Sequence, residues 1–225
     1  MALEIEIKVK VPALEPIREN LKKNGAALIA EQDEHDIYYN APHKDFAVTD
    51  EALRVRYTRN QTCGKIMPPN VTYKGPKVGR EGFKAREEII VDISSGEQLA
   101  VILERLNFRK TAEVVKHHEI YQCEKAIVTL DNVAEVGTFS EIEADFSLTE
   151  DEAVAAIENV ASMADITGER LTKSYLEILL DAVHKTRQNN FFEKNRTEFY
   201  SSSTLSCTLR SSITGSSSSE SVITA

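Results

Sequence analysis

Residues 3–11 alternate strictly. Leu3, Ile5, Ile7, Val9 and Val11 share one face, and Glu4, Glu6, Lys8 and Lys10 share the other. A period of two is that of a β-strand. The period returns along the chain. In 52–58, Leu53, Val55 and Tyr57 oppose Arg54 and Arg56, and 71–74 forms a short strand carrying Lys74, ended by Gly75-Pro76. In 85–93, Arg86, Glu88 and Ile90 share a face, and in 109–122 Lys116, His118 and Ile120 do. In 126–133, Val128 and Leu130 oppose Thr129 and Asp131, and in 138–146 Glu141, Glu143 and Asp145 face away from Ile142, Ala144 and Phe146. Residues 26–39 read as a further extended segment. Helical spacing replaces alternation in four places. These are 14–24, with Leu14, Ile17 and Leu21 and a stop at Gly25, and the stripe Leu99, Ile102, Leu103, Leu106 behind Ser94-Ser95-x-Glu97. The others are 149–163, opened by the capping box Thr149-x-x-Glu152, and 174–185, with Tyr175, Ile178, Leu179 and Ala182 in line. Asn40 to Asp45 has turn chemistry, 60–70 is a loop, and a basic, glycine-rich connection runs to Phe83. The pattern predicts an α+β fold that is mainly β.

Composition adds boundaries. The 225 residues carry a formal charge of −9, which argues against general nucleic-acid or anionic-membrane binding but leaves room for a small basic site. Cys63, Cys123 and Cys207 lack CxxC spacing, so the expectation is a reducing compartment and no zinc cluster. No apolar run reaches a membrane span, and the chain enters a strand at once, which predicts a cytoplasmic protein without a signal peptide. From Ser201 onward about half the residues are serine, and 188–225 is expected to be a disordered tail after a domain over 1–187.

One charged strand face belongs to solvent by default. Here the charged face recurs: Glu4/Glu6/Lys8, Arg54/Arg56, Arg86/Glu88, Lys116/His118, Asp131 and Glu141/Glu143, with Lys74 adding a single charge. Two architectures accommodate this. One is an open sheet with a wet face. The other is a closed antiparallel barrel with a polar interior and helices packed against its apolar outside. In the second, carboxylates for a hard cation and Arg and Lys for a polyanion would share one space, an inventory suited to a polyphosphate with its metal. Other candidates carry less. His117 and His118 are adjacent on a strand and point to opposite faces, so they cannot share a metal. Cys63 and Cys123 sit in no nucleophile motif. Gly75-Pro-Lys-Val-Gly79 lacks the ending of a P-loop. Tyr38 and Tyr39 read as core or rim aromatics.

The ordered motifs also carry a resemblance. Glu4-x-Glu6-x-Lys8 at the N-terminus resembles the signature of the CYTH superfamily, the triphosphate tunnel metalloenzymes. Ala52-Leu-Arg-Val-Arg56, Thr72-Tyr-Lys-Gly-Pro76, Lys84-Ala-Arg-Glu-Glu-Ile89, Lys116-x-His118, Leu130-Asp-Asn-Val133, Gly137-Thr-Phe-Ser-Glu-Ile-Glu143 and Lys173-Ser-Tyr175 follow in the same order. Asp36-Ile-Tyr-Tyr39 and Lys44-Asp-Phe46 look most like the CyaB-like, class IV adenylyl cyclase branch. The resemblance covers about residues 1–183. It implies an eight-stranded antiparallel barrel enclosing a tunnel that binds a triphosphate with Mg²⁺ or Mn²⁺. Glu4, Glu6, Glu141 and Glu143 would be the metal carboxylates. Lys8, Arg54, Arg56, Lys74, Arg86, Lys116 and His118 would meet the phosphates. Glu4, Glu6, Lys8 and Asp131 would be catalytic, Asp131 by orienting the metal or its water, and Glu88 would hold a basic neighbour. His118 departs from the family's Lys-x-Arg pair, because histidine lacks the guanidinium fork. The implied activity is an adenylyl cyclase making cyclic AMP and pyrophosphate from ATP. The alternatives are a triphosphatase acting on inorganic triphosphate, thiamine triphosphate or a nucleotide, and a non-catalytic polyphosphate-binding module. The family also makes a homodimer plausible.

Overall fold

The computed structural model describes residues 4–78 and 83–183. The described residues up to Leu180 belong to one compact unit. The expected tail, 188–225, lies outside the described residues, as does the side chain of Glu4.

Nine strands among the described residues make one antiparallel sheet: β1 (Glu4–Lys10), β2 (Ala27–Asn40), β3 (Ala52–Asn60), β4 (Asn70–Lys74), β5 (Lys84–Arg86), β6 (Glu88–Asp92), β7 (Arg109–Cys123), β8 (Ala126–Val133) and β9 (Gly137–Ala144). Their order is β5-β1-β9-β8-β7-β2-β3-β4-β6. The two ends of that order are separated in sequence by Glu87 alone. β5 pairs with β1, β6 pairs with β4, and the Gly75 amide donates to the Glu87 carbonyl at 2.9 Å. The strand predicted over 85–93 is thus one stave broken at Glu87, whose halves serve opposite edges of the sheet. Counted as staves, the barrel has the expected eight and is nearly closed.

The apolar outer faces explain which way the charges point. α1 (Glu15–Lys23) and α4 (Glu150–Ala164) cover β1, β8 and β9. Leu21 and Ile157 meet Ile7, Val9, Val128 and Ile142 there, all buried. Truncating either helix residue to alanine costs about 2–5 kcal/mol by cavity formation. α3 (Gly96–Arg105) sets Leu103 against Tyr39 and Val55. Gly96 opens that helix because a Cβ there would run into the Tyr57 ring. With these faces covered, the alternate residues must face inward. The capping box of α4 is present in both directions, Thr149 Oγ1 accepting from the Glu152 amide and Glu152 accepting from the Thr149 amide. Thr149→Ala is expected to lower stability by about 1 kcal/mol, read as a shift in the urea midpoint at unchanged m-value.

One local element was not expected and one strand end is corrected. The turn chemistry of Asn40 to Asp45 leads into a short helix, α2 (Phe46–Thr49), capped by Asp45, which accepts from the Ala47 amide. β9 ends at Ala144, whose partner Ala126 is the first residue of β8. Beyond that pair the chain turns away. Asp145 accepts from the Ser147 amide and Phe146 is 77% exposed, so neither continues the face pattern of Glu141/Glu143 and Ile142/Ala144. The last helix is described over 175–183.

Candidate active site

The inward positions enclose a cavity of about 350 Å³. On the β1–β5–β9 side, Glu6 lies opposite Lys84 on one neighbour and Glu143 on the other. Its carboxylate pairs with the Lys84 ammonium. Lys8, 2% exposed, places Nζ 3.1 Å from Glu141 Oε1 and 4.0 Å from the centre of the Tyr175 ring, and donates to the Lys173 carbonyl at 3.1 Å. On the β2–β3 side, Asp36 accepts from Arg56 Nε (2.6 Å) and Nη2 (2.8 Å), with Arg54 Nη1 at 3.6 Å. Glu34 accepts from Arg56 Nη1 at 2.8 Å and faces Lys116 Nζ at 3.3 Å. On the β4–β6 side, Lys74 pairs with Glu88, and Arg86 on β5 donates to the carbonyls of Gly75 (2.9 Å) and Asp50 (3.0 Å).

Asp131 on β8 sits one layer behind the cavity wall and is fully buried. It meets Lys116 Nζ at 3.1 Å, His118 Nδ1 at 2.7 Å, the Tyr175 hydroxyl at 2.7 Å and Thr129 Oγ1 at 3.2 Å. His118 Nδ1 is also 3.3 Å from Lys116 Nζ. One ring nitrogen cannot donate to the carboxylate and accept from the ammonium together, and the shorter contact assigns its proton to the bond with Asp131. Burial alone would raise the carboxyl pKa of Asp131, but Lys116 and His118 outweigh it and hold the group well below the usual carboxylate range. The same contest is won the same way at Asp36 by Arg54 and Arg56, at Glu34 by Lys116 and Arg56, and at Glu141 by Lys8. Burial opposes the charge on Lys116 and Lys84. Asp131 and Glu34 overcome it at Lys116, and Glu6 and Glu141 at Lys84, so both ammonium pKa values lie above normal.

Of the sequence-derived candidates, Glu6, Lys8, Arg54, Arg56, Lys74, Arg86, Lys116, His118, Glu141 and Glu143 line this one cavity. Glu4 is opposite Arg86 in the backbone pairing. Glu34, Asp36 and Lys84 line it too and were not singled out from the sequence. Lys84 could have been found, since it alternates with Arg86. Seven Lys and Arg side chains face six carboxylates, so these charges nearly balance along the wall.

The CYTH domain family model matches residues 2–187. The chain belongs to that family. It is 35% identical over 179 residues to a protein of Methanocaldococcus jannaschii named "Putative adenylate cyclase MJ0240", covering 78% of this chain and 98% of the relative. Among solved structures, PH1819 from Pyrococcus horikoshii OT3 is 34% identical with a TM-score of 0.69, over 79% of this chain and 98% of its own. HpAC1 from Hippeastrum, whose structure is described as revealing a dominant triphosphatase activity, shares the fold at 20% identity and a TM-score of 0.60, over 79% of this chain and 95% of its own. No helix among the described residues is long and apolar enough to cross a membrane.

Proposed function

We propose that the cavity binds a triphosphate compound together with Mg²⁺ or Mn²⁺ and acts as a class IV adenylyl cyclase, converting ATP to cyclic AMP and pyrophosphate. The observation that carries this reading is the single cavity in which basic side chains from β1, β3, β4, β5 and β7 meet carboxylates from β1 and β9. Its wall is nearly neutral, so a tetra-anionic triphosphate fits only if cations enter with it. The donor set suits a hard divalent cation. Glu6, Glu141 and Glu143 offer oxygen ligands from facing strands, with Glu4 in register beside them. Among the described residues two of these carboxylates are engaged by lysines, Glu6 by Lys84 and Glu141 by Lys8, and the set does not converge as a metal cluster. A bound cation would supply Lewis-acid stabilisation of charge on the phosphoryl oxygens. Lys8 and Lys84 would then be released toward the phosphates, alongside Arg54, Arg56, Lys74 and Arg86. The ribose 3′-hydroxyl oxygen would bond the α-phosphorus, its proton passing to water, as the bond to the pyrophosphate oxygen breaks and pyrophosphate leaves. Asp131 would act through Lys116 and His118, as a positioning residue.

A second reading has specific support. The barrel of HpAC1 accompanies a dominant triphosphatase activity, so the fold accommodates water as nucleophile as well as a ribose hydroxyl. Incubation with Mg²⁺ or Mn²⁺ and, separately, ATP, inorganic triphosphate and thiamine triphosphate separates the readings by product. Cyclic AMP with pyrophosphate supports the cyclase, and orthophosphate the triphosphatase. Tight binding without turnover of any of the three would leave a non-catalytic binding module.

A further inference from the structure

His118 stands in the wall of the charged cavity, 7% exposed, and its two ring nitrogens have different surroundings. Its hydrogen-bond contacts among the described residues run through Nδ1, to Asp131 Oδ1 behind the wall and to Lys116 Nζ beside it. The carboxylate that takes the Nδ1 proton is itself fixed. Its Oδ1 also meets Lys116 Nζ, and its Oδ2 accepts from the Tyr175 hydroxyl and from Thr129 Oγ1. Asp131 therefore sets both the tautomer and the direction of the ring. In that tautomer the lone pair sits on Nε2, the nitrogen left for the cavity.

The charges around the ring favour a proton arriving there. Asp131 on β8 and Glu34 on β2 share Lys116 of β7, at 3.1 and 3.3 Å. Arg56 on β3 holds the other oxygen of Glu34, so Glu34 Oε2 faces Lys116 without a hydrogen bond of its own among the described residues. The cation beside the ring is thus already divided between two carboxylates, and Asp131 lies closer to Nδ1, at 2.7 Å, than Lys116 does, at 3.3 Å. An imidazolium formed here is stabilised by Asp131 with no movement of either group. A phosphate contact asks something else of this position, a donor that is always charged, and histidine is not one.

We propose that His118 is the proton acceptor of the reaction rather than a phosphate ligand. The O–H bond of the nucleophile breaks as its oxygen bonds phosphorus. The proton passes through water to Nε2 while Nδ1–H stays on Asp131, and the leaving oxygen departs with the electron pair of the broken P–O bond. The ring gives the proton to solvent after the products leave. The step is the same for a ribose hydroxyl and for water, so the proposal rests on the reading of the cavity as a triphosphate site and not on the choice of nucleophile. His118→Arg is the test, because a guanidinium binds phosphate and cannot take up a proton at neutral pH. Its kcat is expected to fall about 100-fold. Its Kd for inorganic triphosphate with Ca²⁺, read by calorimetry on the full chain, should stay within about twofold of wild type or tighten. His118→Gln should lose kcat to the same extent. Wild-type kcat should rise with pH to a plateau, and both variants should lack that inflection. Turnover kept or raised in His118→Arg would overturn the proposal in favour of a phosphate contact. So would an inflection common to wild type and variants, or a fall in kcat matched by an equal loss of binding. A wild-type protein that turned over neither ATP nor inorganic triphosphate would instead overturn the triphosphate reading beneath it.

Discussion

Glu6→Gln is expected to slow metal-dependent turnover by about 1,000-fold or more, measured as product formed per enzyme at saturating Mg²⁺. The substitution keeps the shape of the side chain and removes the negative charge that a hard cation requires. It also leaves Lys84 buried without its carboxylate, and breaking one partner of such a pair costs about 3–5 kcal/mol. A loss of activity could therefore arise from unfolding alone. The double variant Glu6→Gln/Lys84→Met separates the causes. Replacing both charges with neutral groups of similar size should bring the melting temperature back toward wild type while turnover stays low. Full activity in the single variant would remove Glu6 from the metal-binding set. Recovery of activity in the double variant would show that the loss was one of stability.

The legible parts of this fold are those where only one face of a strand is charged. β1, β3 and β9 have apolar outer faces that helices cover, so simple alternation separates inside from outside. β2 defeats that logic. Glu31 to Asp36 carries polar groups on both faces, because its outward side chains find partners on β7, His117 with Asp33 and His35 with Glu113. Alternation then has nothing to contrast, and Glu34 and Asp36 went unassigned although they hold Arg56. The break at Glu87 was equally hidden. Lys84, Arg86, Glu88 and Ile90 keep their inward period across it, and only the pairing partners change, from β1 to β4. Asp131 was legible as a charge on an inward strand face but not in its depth. Sequence gives its face, whereas its depth behind Lys116 and His118 depends on Tyr175 arriving from the far end of the domain.

That arrangement connects the resting site to its proposed chemistry. Cavity-lining cations on β1, β3 and β7 are each held by a carboxylate, Lys8 by Glu141, Arg56 by Asp36, Lys116 by Asp131. Isolated, these charges would be too costly to bury. Paired, they are oriented in advance, so binding a polyanion exchanges one set of partners for another instead of ordering long flexible side chains from solvent. The acid groups thus serve the basic ones that line the cavity.

Asp131→Asn tests the deepest of these pairs and should have the largest effect on stability. At pH 7 the loss is expected to be about 3–5 kcal/mol, because Lys116 keeps only Glu34 and the bond orienting His118 loses its charge. The pH dependence fixes the cause. Lys116 and His118 hold the Asp131 carboxyl below its ordinary value of 3.8, so its contribution is present above that value and disappears as pH falls through the lower folded-state pKa. The gap between wild type and variant, read by urea unfolding, should therefore still be present at about pH 5 and close progressively below about pH 4. Turnover in the variant should fall about 100-fold, chiefly in kcat, since His118 and Lys116 lose their fixed orientation while the other phosphate contacts remain. A variant as stable as wild type across this range would mean that the buried carboxylate is not what holds the two side chains. A gap that widened in acid would assign the effect to a group whose pKa is raised on folding, and so to a residue other than Asp131.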